Sequence, residues 1–260
     1  MSQRYFPLRA VGYACNPFRA LSVDEEAVLA VLPEVVTAAF DSSGVHLQIL
    51  GEQGRGKSAT LLGLAARAES AGRRVAYTYV PEGTDRFQTD LAELDLFVLD
   101  EAQRLSRRER GRLLDAASAG DAPPPNRLTL PRWPQPPDPL PRTRARGSRG
   151  DARGDGPRLI LSSHADLAAD FARRGLTLRT VRLESLGAEH TRAVIERRLA
   201  HFALADRPRA TLTPDAYAWL AATFGDDLRT ILGLLYEAFQ QVREPLALNA
   251  ERLSLARHRL

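Results

Sequence analysis

Short apolar runs recur along the chain at 45–50, 74–80, 94–101, 158–164 and 176–183, and stretches of helical period lie between them. The runs are too short for helices and are bounded by Gly, Pro, Asp or Ser. They read as strands, most of them too apolar to have a wet face. After the first run, Ala59-Thr60-Leu61-Leu62-Gly63-Leu64-Ala65-Ala66-Arg67-Ala68 has helical character, and the second strand follows. A strand, a helix-length spacer and another strand make a βαβ unit with parallel strands. Ahead of it, Ser22 and Glu25 form a capping box for a helix carrying Val28, Val31, Leu32, Val35, Val36 and Phe40, with a break or kink at Pro33. A helix is expected over 102–119, a short one over 166–174 ended by Gly175, and an amphipathic one over 189–203. The last third reads as all helix. One helix starts at Thr213-Pro214, and a strongly apolar one runs from Leu228 to Phe239 after Gly225-Asp226-Asp227.

One segment breaks this rhythm. Between 120 and 157 lie Pro123-Pro124-Pro125, Pro131, Pro134, Pro136-Pro137, Pro139 and Pro141, then a basic tract over 142–154. Its apolar residues are too few to offset the entropy of ordering, so it reads as a disordered insertion. It is either a nucleic-acid arm or inert filler.

The chain has 260 residues, enough for one large domain or two small ones, and its net charge of +4 permits nucleic-acid binding without demonstrating it. No apolar run reaches the length of a membrane span, and the first residues lack the apolar core of a signal peptide. Cys15 is the single cysteine, which excludes a disulfide framework and a cysteine metal site. A cytoplasmic protein is expected.

The chemistry concentrates at the end of the first strand. Gly51-Glu52-Gln53-Gly54-Arg55-Gly56-Lys57-Ser58 fits Gly-x-x-x-x-Gly-Lys-Ser, with Ala59 opening the helix behind it. Glycines let the backbone curl so that successive N–H groups face phosphate oxygens, and the helix start adds free donors and partial positive charge. Lys57 is expected to reach the β- and γ-phosphates and Ser58 to ligate Mg²⁺. Lys57 is also the only lysine; every other Lys or Arg position is arginine. A compact ammonium suits a tight phosphate cradle where a planar guanidinium does not. No guanine-reading Asn-Lys-x-Asp can be built without a second lysine, which favours adenine and hence ATP.

The third strand ends in Asp100-Glu101. Asp100 is expected to hold the metal's water shell and Glu101 to act as general base toward the attacking water. At the end of the fourth strand, Ser162 or Ser163 either probes the γ-phosphate or caps the next helix; His164 reads as a bystander. Phe18, after Asn16-Pro17, either packs on adenine or plugs the core. Arg104, Arg107, Arg108, Arg110 and Arg112 give a solvated helix face or a basic face for nucleic acid.

Residues about 12–240 resemble the AAA+ ATPases, with the bacterial transposition-helper and secretion-pathway ATPases as the nearest branch. The resemblance rests on Asn16-Pro17-Phe18, on Gly56-Lys57-Ser58, on Leu99-Asp100-Glu101-Ala102-Gln103-Arg104-Leu105, and on Gly225-Asp226-Asp227-Leu228-Arg229. It implies an α/β P-loop NTPase fold: three α/β/α layers around a five-stranded parallel sheet of order 5-1-4-3-2, plus a small C-terminal helical lid. The implied domains are a lead-in over 1–40, a nucleotide-binding core over 41–205 and a lid over 206–260. It implies Mg-ATP hydrolysis that drives a switch on a macromolecule such as DNA or a DNA-bound partner. Ser162 or Ser163 matches the sensor-1 position and Arg229 the sensor-2 arginine. Arg173 or Arg174 sits where relatives carry an arginine finger for the neighbouring subunit, which requires a homo-oligomer. The rivals are a nucleotide-dependent binding module with little turnover, a nucleic-acid-binding protein whose ATP site tunes assembly, and a small-molecule kinase.

Overall fold

The computed structural model describes residues 7–42, 45–118, 156–183 and 186–258. Five strands, β1 (His46–Leu50), β2 (Val75–Tyr79), β3 (Leu96–Asp100), β4 (Arg158–Ser163) and β5 (Leu178–Arg182), form one sheet in the order β2-β3-β4-β1-β5. Every pairing is parallel. This is the expected 5-1-4-3-2 sheet read from its other edge. The insertion over 120–157, apart from its last two residues, lies outside the described residues.

Alternation along the strands sorts the core into two layers. Leu47, Ile49, Leu96, Val98, Ile160 and Val181 face α2 (Glu34–Asp41) and α3 (Lys57–Ser70), meeting Val36, Phe40, Leu61 and Leu64. Phe97, Leu99, Leu159 and Leu161 face the other way, toward Leu113 and Leu114 of α4 (Arg107–Ser118) and Phe171 of α5 (Ala168–Ala172). With both faces covered, the central strands are apolar throughout, as the continuous runs predicted.

The N-terminal helical stretch is two helices, α1 (Val23–Leu29) and α2. Pro33 sits at the N-cap of α2, where its missing N–H costs nothing. The Ser22–Glu25 capping box is present in both directions. The expected helix over 102–119 is divided: a 3-10 turn at Ala102–Arg104 precedes α4. Ser106 causes the break, accepting the Glu109 N–H with its hydroxyl and so opening a fresh helix.

A third cluster is helical. It joins Leu8, Val11, Tyr13 and Phe18 to Ile195, Leu199 and Phe202 of α6 (Gly187–Phe202), Leu220 of α7 (Pro214–Phe224), Ile231, Leu234 and Phe239 of α8 (Leu228–Gln241), and Leu253 of α9 (Ala250–Arg257). The boundary expected at 205/206 thus falls after α6, which already belongs to this cluster. The C-terminal third is also not purely helical: β6 (Thr211–Leu212) and β7 (Ala247–Leu248) pair in parallel. Two-residue strands carry no readable period, so only the fold reveals them. At the start of α7 the Thr213 hydroxyl donates to the Leu248 carbonyl at the end of β7 and does not cap its own helix.

Candidate nucleotide site

The turn between β1 and α3 lies at the C-terminal edge of the sheet. Gly54 and Gly56 take φ of +85° and +77°, which a side chain disfavours, and Gly56 is the N-cap of α3. Thr60 N–H returns to the Gly56 carbonyl, so the N–H groups of residues 57 to 59 open α3 without intrahelical partners. Gln53 and Ser58 are exposed at the mouth and Ala59 is half-buried. Lys57 is 5 % exposed, and its Nζ donates to the carbonyls of Gly51 (2.8 Å) and Glu52 (2.9 Å). The ammonium therefore spans the inside of the loop. Burial pushes it below its ordinary pKa, while the charges of Glu101 and Asp100 pull it back up.

Two strands away, Asp100 ends β3 with no exposed surface. One carboxylate oxygen accepts from the Ser162 hydroxyl, and the other from the Tyr77 hydroxyl at 3.0 Å. Ser162 in turn accepts the Glu101 N–H at 2.9 Å. Glu101 has φ of +64°. A non-glycine residue there costs of order 1 kcal/mol, and that strain swings its carboxylate out of the strand direction. The carboxylate accepts from Gln103 Nε2 at 2.6 Å and lies 3.4 Å from the Arg104 guanidinium and 3.6 Å from His164 Nε2.

These contacts correct the reading of β4. Ser162 is fully buried and joined to Asp100 and Glu101, so it does not face a phosphate. Ser163 is also buried, and its hydroxyl closes a local turn by donating to the Ala165 carbonyl and accepting the Ala165 N–H. His164 is the polar side chain that β4 delivers to the site, 3.4 Å from Lys57 Nζ as well as beside Glu101. Counting outward from the apolar run could have found it: 160 and 162 share a face with Asp100, whereas 164 is the first residue past the strand end.

The C-terminal helices also reach the loop. Arg55 ion-pairs with Asp226 and, at 3.5 Å, with Glu52. A side chain at Gly54 would bring its Cβ to 4.0 Å from the Cβ of Arg229. Arg229 is exposed and stands over the loop. A cleft of about 310 Å³ beside it is lined by Gly51, Glu52, Arg55, His164, Arg182 and Leu183.

Three expected residues lie elsewhere. Phe18 is 4 % exposed, and its ring meets Phe239 edge-on with centroids 4.9 Å apart, while the Asn16 side chain donates to the Tyr236 carbonyl. Phe18 therefore plugs the helical core and is not open to a base. Arg173 and Arg174 follow α5, away from the loop. Arg174 binds Asp115 and the Gly111 carbonyl of α4, whereas Arg173 is 74 % exposed and, among the described residues, pairs only with Asp170.

The residues present fit a magnesium nucleotide. Among the described residues no His, Cys, Asp or Glu cluster forms a cage for a metal ion. A divalent ion here would draw most of its ligands from phosphate and water, as Mg²⁺ does in phosphoryl sites. Ser58 and, through water, Asp100 are the protein groups able to complete that set.

Sheet order, loop and helical layers together define a P-loop NTPase fold. Solved structures share it: NtrX from Brucella abortus in complex with ADP (TM-score 0.50, 16 % identity, covering 86 % of this chain and 55 % of that one), and a RuvB mutant from Thermotoga maritima (TM-score 0.54, 13 % identity, covering 95 % and 73 %). The chain thus spans little more than half the length of the NtrX chain. No protein-family model and no curated protein sequence matches it.

Proposed function

We propose that this chain is an AAA+ ATPase that binds and hydrolyses Mg-ATP to switch the state of a macromolecular partner. The observation that supports this most is the meeting of three elements at one sheet edge. They are the loop with Lys57, the Asp100-Glu101 pair, and the helical tail that brings Arg229 to the loop at Gly54. In this reading the loop N–H groups and α3 hold the phosphates. Bound Mg²⁺ supplies charge neutralisation at the β- and γ-phosphates. Lys57 exchanges its loop carbonyls for phosphate oxygens. Glu101 orients and polarises the attacking water, and His164 senses the γ-phosphate from between Lys57 and Glu101. The helical cluster of α6 to α9 acts as the lid through Arg229. Catalysis is positioning and charge stabilisation.

Arg173 is the better arginine-finger candidate, because Arg174 spends its guanidinium on α4 of its own chain. A finger in trans entails a homo-oligomer. DNA or a DNA-bound protein is the proposed partner, supported by the net charge of +4 and by exposed Arg107 and Arg108. No helix among the described residues is long and apolar enough to cross a membrane, in keeping with the proposed cytoplasmic setting.

The test is Mg-ATPase and nucleotide binding with Lys57→Ala and Glu101→Gln. Lys57→Ala is expected to lose nucleotide binding, and Glu101→Gln to keep binding and lose turnover. A Lys57→Ala variant that binds ATP like the parent overturns the proposal. A binding module with little turnover is the rival reading, and one observation favours it: Glu101 is already engaged by Gln103, Arg104 and His164. A parent that binds nucleotide but does not hydrolyse it at any protein concentration decides for the rival.

A further inference from the structure

Asp100 is a carboxylate with no exposed surface and no ion pair among the described residues. Two hydroxyls carry it. The Ser162 donor comes from the neighbouring strand within the expected site. The Tyr77 donor comes from β2, outside every motif read in the sequence, and occupies the second oxygen at 3.0 Å. Tyr77 pairs across the sheet with Val98, two residues before Asp100, so its ring runs forward along the sheet to reach the carboxylate. Val75, the previous residue on that face of β2, packs into the apolar layer, and Tyr79, the next, is exposed and lies under the Arg104 guanidinium. Of the three, only Tyr77 reaches Asp100. Burial and the adjacent negative charge hold the Tyr77 phenol well above its ordinary pKa, so it stays a donor at any working pH.

A buried carboxylate with one free oxygen can swing about its χ2 torsion, which is broad for Asp. With each oxygen held by a separate donor, from strands on opposite sides of β3, the plane is fixed. We propose that Tyr77 is a positioning residue for Asp100, setting the orientation in which that carboxylate meets the hydration shell of a nucleotide-bound divalent cation. The inference rests on the nucleotide reading above and goes beyond it by adding a residue on β2 to the metal side of the site.

The experiment is titration of a fluorescent N-methylanthraniloyl-ADP into parent and Tyr77→Phe protein, first in EDTA and then across MgCl₂ concentrations. Both are expected to bind the probe alike in EDTA. Tyr77→Phe should need about tenfold more Mg²⁺ for the same gain in affinity, the scale of one hydrogen bond to a charged group. In an Asp100→Asn background, adding Tyr77→Phe should change the Mg²⁺ dependence no further. An unaltered Mg²⁺ midpoint in Tyr77→Phe overturns the proposal, and so does a full additive effect in the Asp100→Asn background. Should Tyr77→Phe fold poorly, 3-fluorotyrosine at position 77 keeps the hydroxyl. Its ¹⁹F resonance should then move when MgCl₂ is added to the ADP complex, and a resonance that does not respond counts against the role. A parent that fails to bind the probe at all defeats the nucleotide reading itself, which separates the two failures.

Discussion

Replacing Ser162 by alanine should unfold the protein more readily than any other substitution of a hydroxyl at this edge. Ser162 is 0 % exposed and serves two partners, donating to Asp100 and accepting the Glu101 N–H at 2.9 Å. Alanine removes both. A buried carboxylate oxygen loses a charge-assisted bond worth about 1.5–3 kcal/mol, and a backbone N–H loses its acceptor at a cost of about 1–3 kcal/mol. The two losses share one atom and will not add fully, so about 3–4 kcal/mol is expected, against a total of roughly 5–15 kcal/mol for a domain. Ser163→Ala is the control. Its hydroxyl bonds only to Ala165, two residues on, and about 1 kcal/mol is expected. The assay is urea unfolding followed by tryptophan fluorescence, with the slope m compared so that a midpoint shift can be read as stability. A Ser162→Ala variant that loses less than about 1 kcal/mol while nucleotide turnover collapses would refute the assignment of Ser162 as a strut and return it to the phosphate. Equal losses for Ser162→Ala and Ser163→Ala would refute the network argument altogether.

Other outcomes follow from the same contacts. His164→Ala, with the side chain 39 % exposed, should leave the urea midpoint within about 0.5 kcal/mol of the parent and reduce turnover at least tenfold; normal turnover would return His164 to the role of bystander. Arg173→Ala should abolish any rise of specific activity with protein concentration, whereas Arg174→Ala should lower stability and leave that rise in place. Asp227 caps α8 by accepting from the Thr230 N–H and hydroxyl, which hold its pKa below the ordinary carboxylate value. Its stabilisation is therefore full above the unfolded pKa and fades as pH falls through the folded one. Asp227→Ala should cost about 1 kcal/mol at neutral pH and little in strong acid, checked by melting at each pH.

How much of this was legible in the sequence depended on the range of each interaction. The five strands, the glycine turn and the place of Asp100 at the end of its strand were legible because they rest on local pattern, whereas the sheet order came only from the family resemblance. The lone lysine pointed to its own position, and Lys57 does lie inside the loop. At the end of β4, Ser162 and His164 both look polar on the page and share one parity, so alternation does not separate them; the end of the strand at Ser163 does. Alternation puts 160 and 162 on the α3 face with Asp100, so Ser162 is consumed as a strut, and the first residue beyond the strand is left to reach the site. Phe18 was left between an adenine platform and a core plug; the structure takes the plug, and the choice turned on Phe239, more than two hundred residues away. Tyr77 gave no signal, since a tyrosine in a strand is an ordinary β residue and its value here comes from one partner two pairing positions along a neighbouring strand. The three cases share a cause. Motifs record groups that must touch a ligand common to many proteins, and they omit the groups that hold those residues still. In this chain the supporting groups are Ser162 and Tyr77 around Asp100, and Gln103, Arg104 and His164 around Glu101. A carboxylate fixed by two donors from opposite strands and a second one held by three partners mean that turnover here should be more sensitive to these five supports than to substitutions elsewhere at the cleft rim.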